Sequence, residues 1–177
     1  KWKDKDSLVY IELYKYNRIV AYINNNIEIV DDNFLSYNNT IKKIVLDNAW
    51  LIKNGFMRNN NSLEEVNFPN VEKIGDYFLF HNEILKKLFA SKLESIGSGC
   101  LMNNKSLEEL NLPTLTSVAH CFLYSNKVLK SLNIPNISYI GSDSFYYNLK
   151  MRLKAQLILY KNILNFSKIT NCNRRKM

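Results

Sequence analysis

The sequence predicts a solenoid of mainly short β-strands and turns on a 22-residue period, with a helical cap at its C-terminal end. Three observations predict it. Apolar residues recur every 22 positions from Val30 without insertion or deletion, asparagine recurs at one place in each unit, and all three prolines share another. A single unit of this length cannot bury its apolar side alone, so successive units stack over a common core.

Numbering the unit from Val30, position 1 holds Val30, Ile52, Ile74, Ile96, Val118 and Ile140. Position 5 reads Phe34, Phe56, Phe78, Cys100 and Phe122, and position 6 reads Leu35, Met57, Leu79, Leu101, Leu123 and then Phe145. Ile41, Leu63, Leu85, Leu107 and Leu129 share position 12; Ile44, Val66, Leu88, Leu110 and Leu132 share position 15. Leu46, Phe68, Ala90, Leu112 and Ile134 share position 17, and Ala49, Val71, Leu93, Leu115 and Ile137 share position 20. Five units of these seven positions give 35 places, all apolar in a chain that is 46% apolar overall. Positions 15 and 17 flank an outward position 16, which predicts a short strand. Pro69, Pro113 and Pro135 at position 18 end it. Positions 20 and 1 form a second short apolar edge. Gly75, Gly97 and Gly141 at position 2 are expected where the coil bends.

Position 9 is Asn six times, at Asn38, Asn60, Asn82, Asn104, Asn126 and Asn148. A side-chain amide carries both donor and acceptor, so this ladder is expected inside the coil, satisfying backbone groups of a neighbouring turn. Sequons such as Asn38-Asn39-Thr40 fall on the same column and are expected to be chance matches in an Asn-rich chain.

Three segments follow. Residues 1–29 read as a strand-rich N-terminal cap or degenerate repeat, with Asn24, Asn25 and Asn26 as a turn. Residues 30–148 are the repeats. Residues 149–177 are a basic cap and tail. There Leu153, Leu157, Tyr160 and Leu164 sit at helical spacing, while Met151, Leu153, Ala155, Leu157 and Leu159 alternate as in a strand. A helix is the favoured reading, with residues 170–177 as a mobile tail. The opening residues, Lys1-Trp2-Lys3-Asp4, hold no initiator Met and no apolar run, so any signal peptide is expected to have been removed already or left out.

The run from Asn104 through Leu107, Leu110, Leu112, Pro113 and Leu115 to Val118 follows the pattern N-x-x-L-x-x-L-x-L-P-x-L-x-x-I-G, with Val118-Ala119 at its end. It resembles the BspA-like class of bacterial leucine-rich repeats over residues 30–148. The unit is one residue shorter than is usual in that class, and position 5 prefers Phe to its usual Ala. The resemblance implies a leucine-rich-repeat solenoid used for adhesion or protein recognition, at a cell surface or secreted, with an intracellular effector as the other setting. It implies no chemistry.

Charge and composition narrow the partner. The net charge is +8, yet residues 1–148 hold 16 basic and 16 acidic residues. The excess lies in residues 149–177, with eight basic residues and no acid. A neutral body is a poor footprint for a nucleic-acid backbone, and no specific nucleic-acid site is expected. No apolar run is long enough to span a bilayer. The basic end leaves three readings open: weak contact with acidic lipid or nucleic acid, a lead into a further domain, or a solvated cap that keeps the open end of the stack from self-association. The last is favoured, and a monomer is expected.

Catalysis is not expected. Three cysteines, Cys100, Cys121 and Cys172, form no disulfide framework. His81 and His120 lack zinc-ligand spacing and have no acid or nucleophile at a telling offset, so no metal or other cofactor is expected. Cys100 sits at a core position and is read as a buried thiol. Positions 13 and 14 carry Lys42-Lys43, Glu64-Glu65, Lys86-Lys87, Glu108-Glu109 and Lys130-Ser131. Their alternating sign reads as a charge ladder between coils rather than a carboxylate site.

The candidate partner-binding strip is the outward strand position, Val45, Asn67, Phe89, Asn111 and Asn133. Trp50 is a further candidate. Phe80, Met102, Tyr124 and Tyr146 at position 7 read as packing between turns before a contact patch. The function expected is a non-catalytic recognition or adhesion solenoid that binds a macromolecular partner on its strand face. The alternative is a structural spacer, or a piece of a larger surface or secreted protein.

Overall fold

The computed structural model describes residues 10–14 and 18–174, and side-chain environments for Ala21 and residues 23–164. Residues 1–9 and 15–17, in the expected N-terminal cap, and 175–177, in the expected tail, lie outside the described residues. The strands are β1 (Tyr10–Tyr14), β2 (Arg18–Ile23), β3 (Ile29–Val30), β4 (Lys43–Val45), β5 (Leu51–Ile52), β6 (Glu65–Asn67) and β7 (Lys73–Ile74). They continue as β8 (Lys87–Phe89), β9 (Ser95–Ile96), β10 (Glu109–Asn111), β11 (Ser117–Val118), β12 (Ser131–Asn133) and β13 (Tyr139–Ile140), followed by helix α1 (Leu149–Arg174).

Each unit contributes one three-residue and one two-residue strand, and each kind pairs in parallel with its equivalent one unit on, except between β8 and β10. Position 1 forms a continuous column through β3, β5, β7, β9, β11 and β13, pairing Val30 with Ile52, Ile74, Ile96, Val118 and Ile140 in turn. The longer strands pair as β2, β4, β6 and β8, with β1 antiparallel on the outer edge of β2. All seven apolar positions point inward. Of their residues in the five units only Phe34 and Leu35, in the first, are less than fully buried. Phe56 stacks on Phe78 with centroids 5.5 Å apart, Cys100 interrupts the column, and Phe122 meets Phe145 edge-on at 5.6 Å.

The bends depend on backbone handedness. Positions 4, 6 and 8 are left-handed in every unit, as in Tyr77 (φ 56°), Leu79 (φ 51°) and His81 (φ 60°). A left-handed residue other than Gly costs roughly 1–2 kcal/mol, and inter-coil hydrogen bonds hold it. Gly55 N–H donates to Asp76 O and Asn59 N–H to Phe80 O in the next coil, while Met57 N–H donates back to Phe34 O. The glycines of position 2 have another reason to be there than the one their spacing suggested. None of them is left-handed. They stand against the preceding coil, where a Cβ on Gly141 would come within 2.5 Å of the Ala119 carbonyl carbon.

The Asn ladder is interior. Asn60, Asn82, Asn104 and Asn126 are fully buried, while Asn38 in the first unit is half-buried. Asn82 Nδ2 donates to Met57 O of the preceding coil (2.8 Å) and to Phe80 O (3.3 Å); Asn104 and Asn126 repeat this with Leu79 and Met102, and with Leu101 and Tyr124. Asn38 and Asn60 use the other end of the amide, accepting from the amides two and three residues on. Asn148 does both. Its Nδ2 donates to Asn126 O and Leu129 O, and its Oδ1 accepts from Met151 N–H, which caps α1.

Helix α1 closes the stack by burying Met151 and Ala155, with Ile158 and Leu159 packed against the core. Asn162 Nδ2 donates to Pro135 O and Ile137 O of the last unit. The residues whose spacing argued for a helix lie elsewhere: Leu153, Leu157 and Tyr160 face outward. The helix also runs to Arg174, through most of the stretch expected as a tail.

Two substitutions test the stack. Asn82→Leu leaves the Met57 carbonyl without its side-chain donor, while Phe80 O keeps the Asn59 N–H, and removes an Oδ1 that has no partner of its own. A net loss of about 1–3 kcal/mol in thermal or denaturant unfolding is expected. Gly141→Ala, which drives a Cβ into backbone atoms, is expected to cost about 1–3 kcal/mol by the same measurement.

Candidate binding surface

Position 16 lines the outer face of the longer strands. Register pairs Val45 with Asn67 and Asn67 with Phe89, and separately Asn111 with Asn133, whose Nδ2 donates to Asn111 Oδ1 at 2.8 Å. Val45 and Asn67 are half-buried, while Phe89, Asn111 and Asn133 are exposed, Phe89 at 52%.

The strip is divided in its middle. β10 and β12 form a two-stranded sheet of their own, and β8 does not pair with β10. Lys86 N–H donates to Glu64 O and Lys130 N–H to Glu108 O, but the corresponding bond from Glu108 to Lys86 is not made. The charge ladder breaks at the same place. Ion pairs join Lys42 to Glu64 (3.7 Å), Lys43 to Glu65 (2.7 Å), Lys86 to Glu64 (2.8 Å) and Lys130 to Glu108 (2.7 Å), and none joins β8 to β10. The Lys86 ammonium, by hydrogen bond and charge, holds the Glu64 carboxyl below its ordinary value. Over the division lies an open groove of about 1040 Å³. Asn67, Phe89 and Asn111 line it with Pro69 and Pro113, flanked by Lys86, Lys87, Glu108 and Glu109. Two of the three smallest side chains of the core columns, Ala90 and Cys100, belong to the units on either side.

The other candidates fall elsewhere. Trp50 is 39% exposed on a different column. At position 7, Tyr124 stacks on Tyr146 at 5.2 Å and Tyr147 meets both rings edge-on, so contacts between turns occupy much of that surface. Cys100 and Cys121 are free. The Cys100 thiol donates to Gly75 O, and burial pushes its pKa up, away from thiolate chemistry.

A second polar ladder escaped the sequence reading. At position 3, Asp32, Asn54 and Asp76 accept from the backbone N–H of Asn54, Asp76 and Ser98 respectively, and His120 Nδ1 accepts from Ser142 N–H. The signal was present as a short or ring-nitrogen acceptor once per unit, masked by the variety of residue types. It also brings His120 to the Ser142 hydroxyl (2.9 Å), a pairing that its sequence offset had not suggested. Because Nδ1 already accepts from an amide, the hydroxyl donates to it as part of the rung. Among the described residues no group of three or more His, Cys, Asp or Glu side chains could hold a metal, and no helix is long and apolar enough to cross a membrane.

Parallel strands at one-unit register, an interior Asn ladder and a capped end define a leucine-rich-repeat solenoid, a class that generally serves as a scaffold for protein binding. The chain matches the family described as BspA type leucine rich repeat region, in six copies over residues 27–152, and belongs to it. No curated protein and no solved structure matches the chain.

The ladder has a pH signature. A carboxyl held below its ordinary value stabilises the fold fully above the unfolded value, here 4.5, and that contribution fades as pH falls through the lower folded value. Glu64→Gln is therefore expected to lower stability near neutral pH and to make the loss between about pH 5 and 3 shallower in thermal melts.

Proposed function

We propose that the chain is a recognition module that holds a protein partner on the strand face, centred on the groove between Phe89 and Asn111. One observation carries this reading. The groove is the place where the face is both apolar and open, with an exposed Phe and two prolines beside strand edges whose backbone groups are unpaired across it. Exposed aromatics next to satisfiable polar groups are what interface hot spots require. The Lys and Glu pairs at its rim supply orientation more than affinity. A surface-associated setting, common in the family, fits an adhesive role.

The test compares capture from host and source-cell lysates by the intact chain, by Phe89→Ala/Asn111→Ala and by Trp50→Ala. The double variant is expected to lose a partner by roughly 10- to 100-fold, with an unchanged melting temperature, and Trp50→Ala to retain it. Equal capture by all three discards the strand face, and no capture even by the intact chain favours the structural spacer.

A further inference from the structure

We propose that the outer face of α1 docks on an anionic lipid surface. This rests on α1 alone and is independent of the strand-face reading. The helix is apolar on two opposite sides. One line, Met151, Ala155, Ile158 and Leu159, closes the solenoid. The other, Leu149, Leu153, Leu157, Tyr160 and Ile163, lies about 180° around the helix by its 3.6-residue turn. Each of these five residues is more than half exposed. A cap needs only the first line.

The second line runs for roughly 20 Å. Exposed Lys150, Lys154 and Lys161 lie along one side of it and Arg152 along the other. Residues 149–177 contain eight basic residues and no acid. An apolar stripe edged by long cationic side chains suits a helix lying in the plane of a membrane interface. There the apolar groups enter the acyl boundary while the ammonium and guanidinium groups reach acidic headgroups.

The other occupants fit less well. Two copies packed through this face would bring Lys150, Arg152, Lys154 and Lys161 of one chain near those of the other with no acid on α1 to offset them. A protein partner would be expected to form directional hydrogen bonds across the contact, and among the described side chains of this face α1 offers for that the Tyr160 hydroxyl and Gln156 beyond its cations. Charge and apolar surface without hydrogen-bonding pattern match a fluid anionic surface.

The test is co-sedimentation of the intact chain with vesicles of phosphatidylcholine alone or of phosphatidylcholine with phosphatidylserine, at low and high salt. At least about tenfold more binding to the anionic vesicles at low salt is expected, and most of it should be lost at high salt. Leu153→Asn/Leu157→Asn should abolish binding without loss of helicity by circular dichroism. Lys150→Gln/Lys154→Gln should weaken it and flatten its salt dependence, which provides a second readout should the first variant misfold. Phe89→Ala/Asn111→Ala should bind vesicles like the parent chain, so failure of the strand-face reading would leave this result standing. Absence of vesicle binding overturns the proposal, as does equal binding to both vesicle types. It is also overturned if the chain sediments as a dimer that the leucine substitutions dissolve, or binds polyglutamate, while ignoring vesicles.

Discussion

The structure depends on one constraint: a polar backbone group inside a coil has to find its partner in the coil next to it. Inside the buried stack, leaving an amide or carbonyl unpaired costs about 1–3 kcal/mol. With strands of two or three residues, regular sheet bonds serve only part of each turn. The bends are completed by the interior Asn amides, the acceptors of position 3 and the left-handed residues that send amides to both neighbours. These devices work only when equivalent residues lie one above the next, which is why the period stays at 22 without an insertion. The close approach of coils at Gly141 follows from the same stacking.

Because the stack is secured from within, the outward positions are free to differ between units. Position 15 stays apolar throughout, whereas position 16 runs from Val45 through Asn67 and Phe89 to Asn133. The same freedom lets one strand pair open. β8 and β10 lose their sheet bonds while β9 and β11 on the other edge keep theirs, so the solenoid remains continuous beside a groove. The two ends are handled differently. A hairpin, β1 and β2, pairs its inner strand with β4, and α1 covers the last unit with its own apolar line, fixed by Asn148 and Asn162.

The residues that were legible in the sequence carry their role in side-chain type. Leu63, Leu85 and Leu107, or Asn82, Asn104 and Asn126, need one kind of group at one place, and repetition exposes it. Where a role tolerates several residue types, the signal disappears. Position 3 requires only an acceptor, so Asp76, Asn54 and His120 serve alike. The left-handed bends hold Leu79, Met57 and Tyr77, residues that announce nothing about φ. Gly75, Gly97 and Gly141 were visible, but their reason was crowding and not handedness. The face of α1 turned outward could not be told from the face turned inward, because both are apolar; contact with the last unit decides which is buried. The break between β8 and β10 leaves every apolar column intact and so has no mark in the pattern.

Disulfide trapping tests the one-unit register most directly. In a chain with Cys100→Ala, Cys121→Ser and Cys172→Ser, the pair Val45→Cys and Asn67→Cys should oxidise readily, since registered parallel neighbours lie about 5 Å apart. The pair Val45→Cys and Phe89→Cys, separated by a further coil, should not. Trapping of the second pair and failure of the first would contradict the stacked arrangement from which every surface described above takes its place.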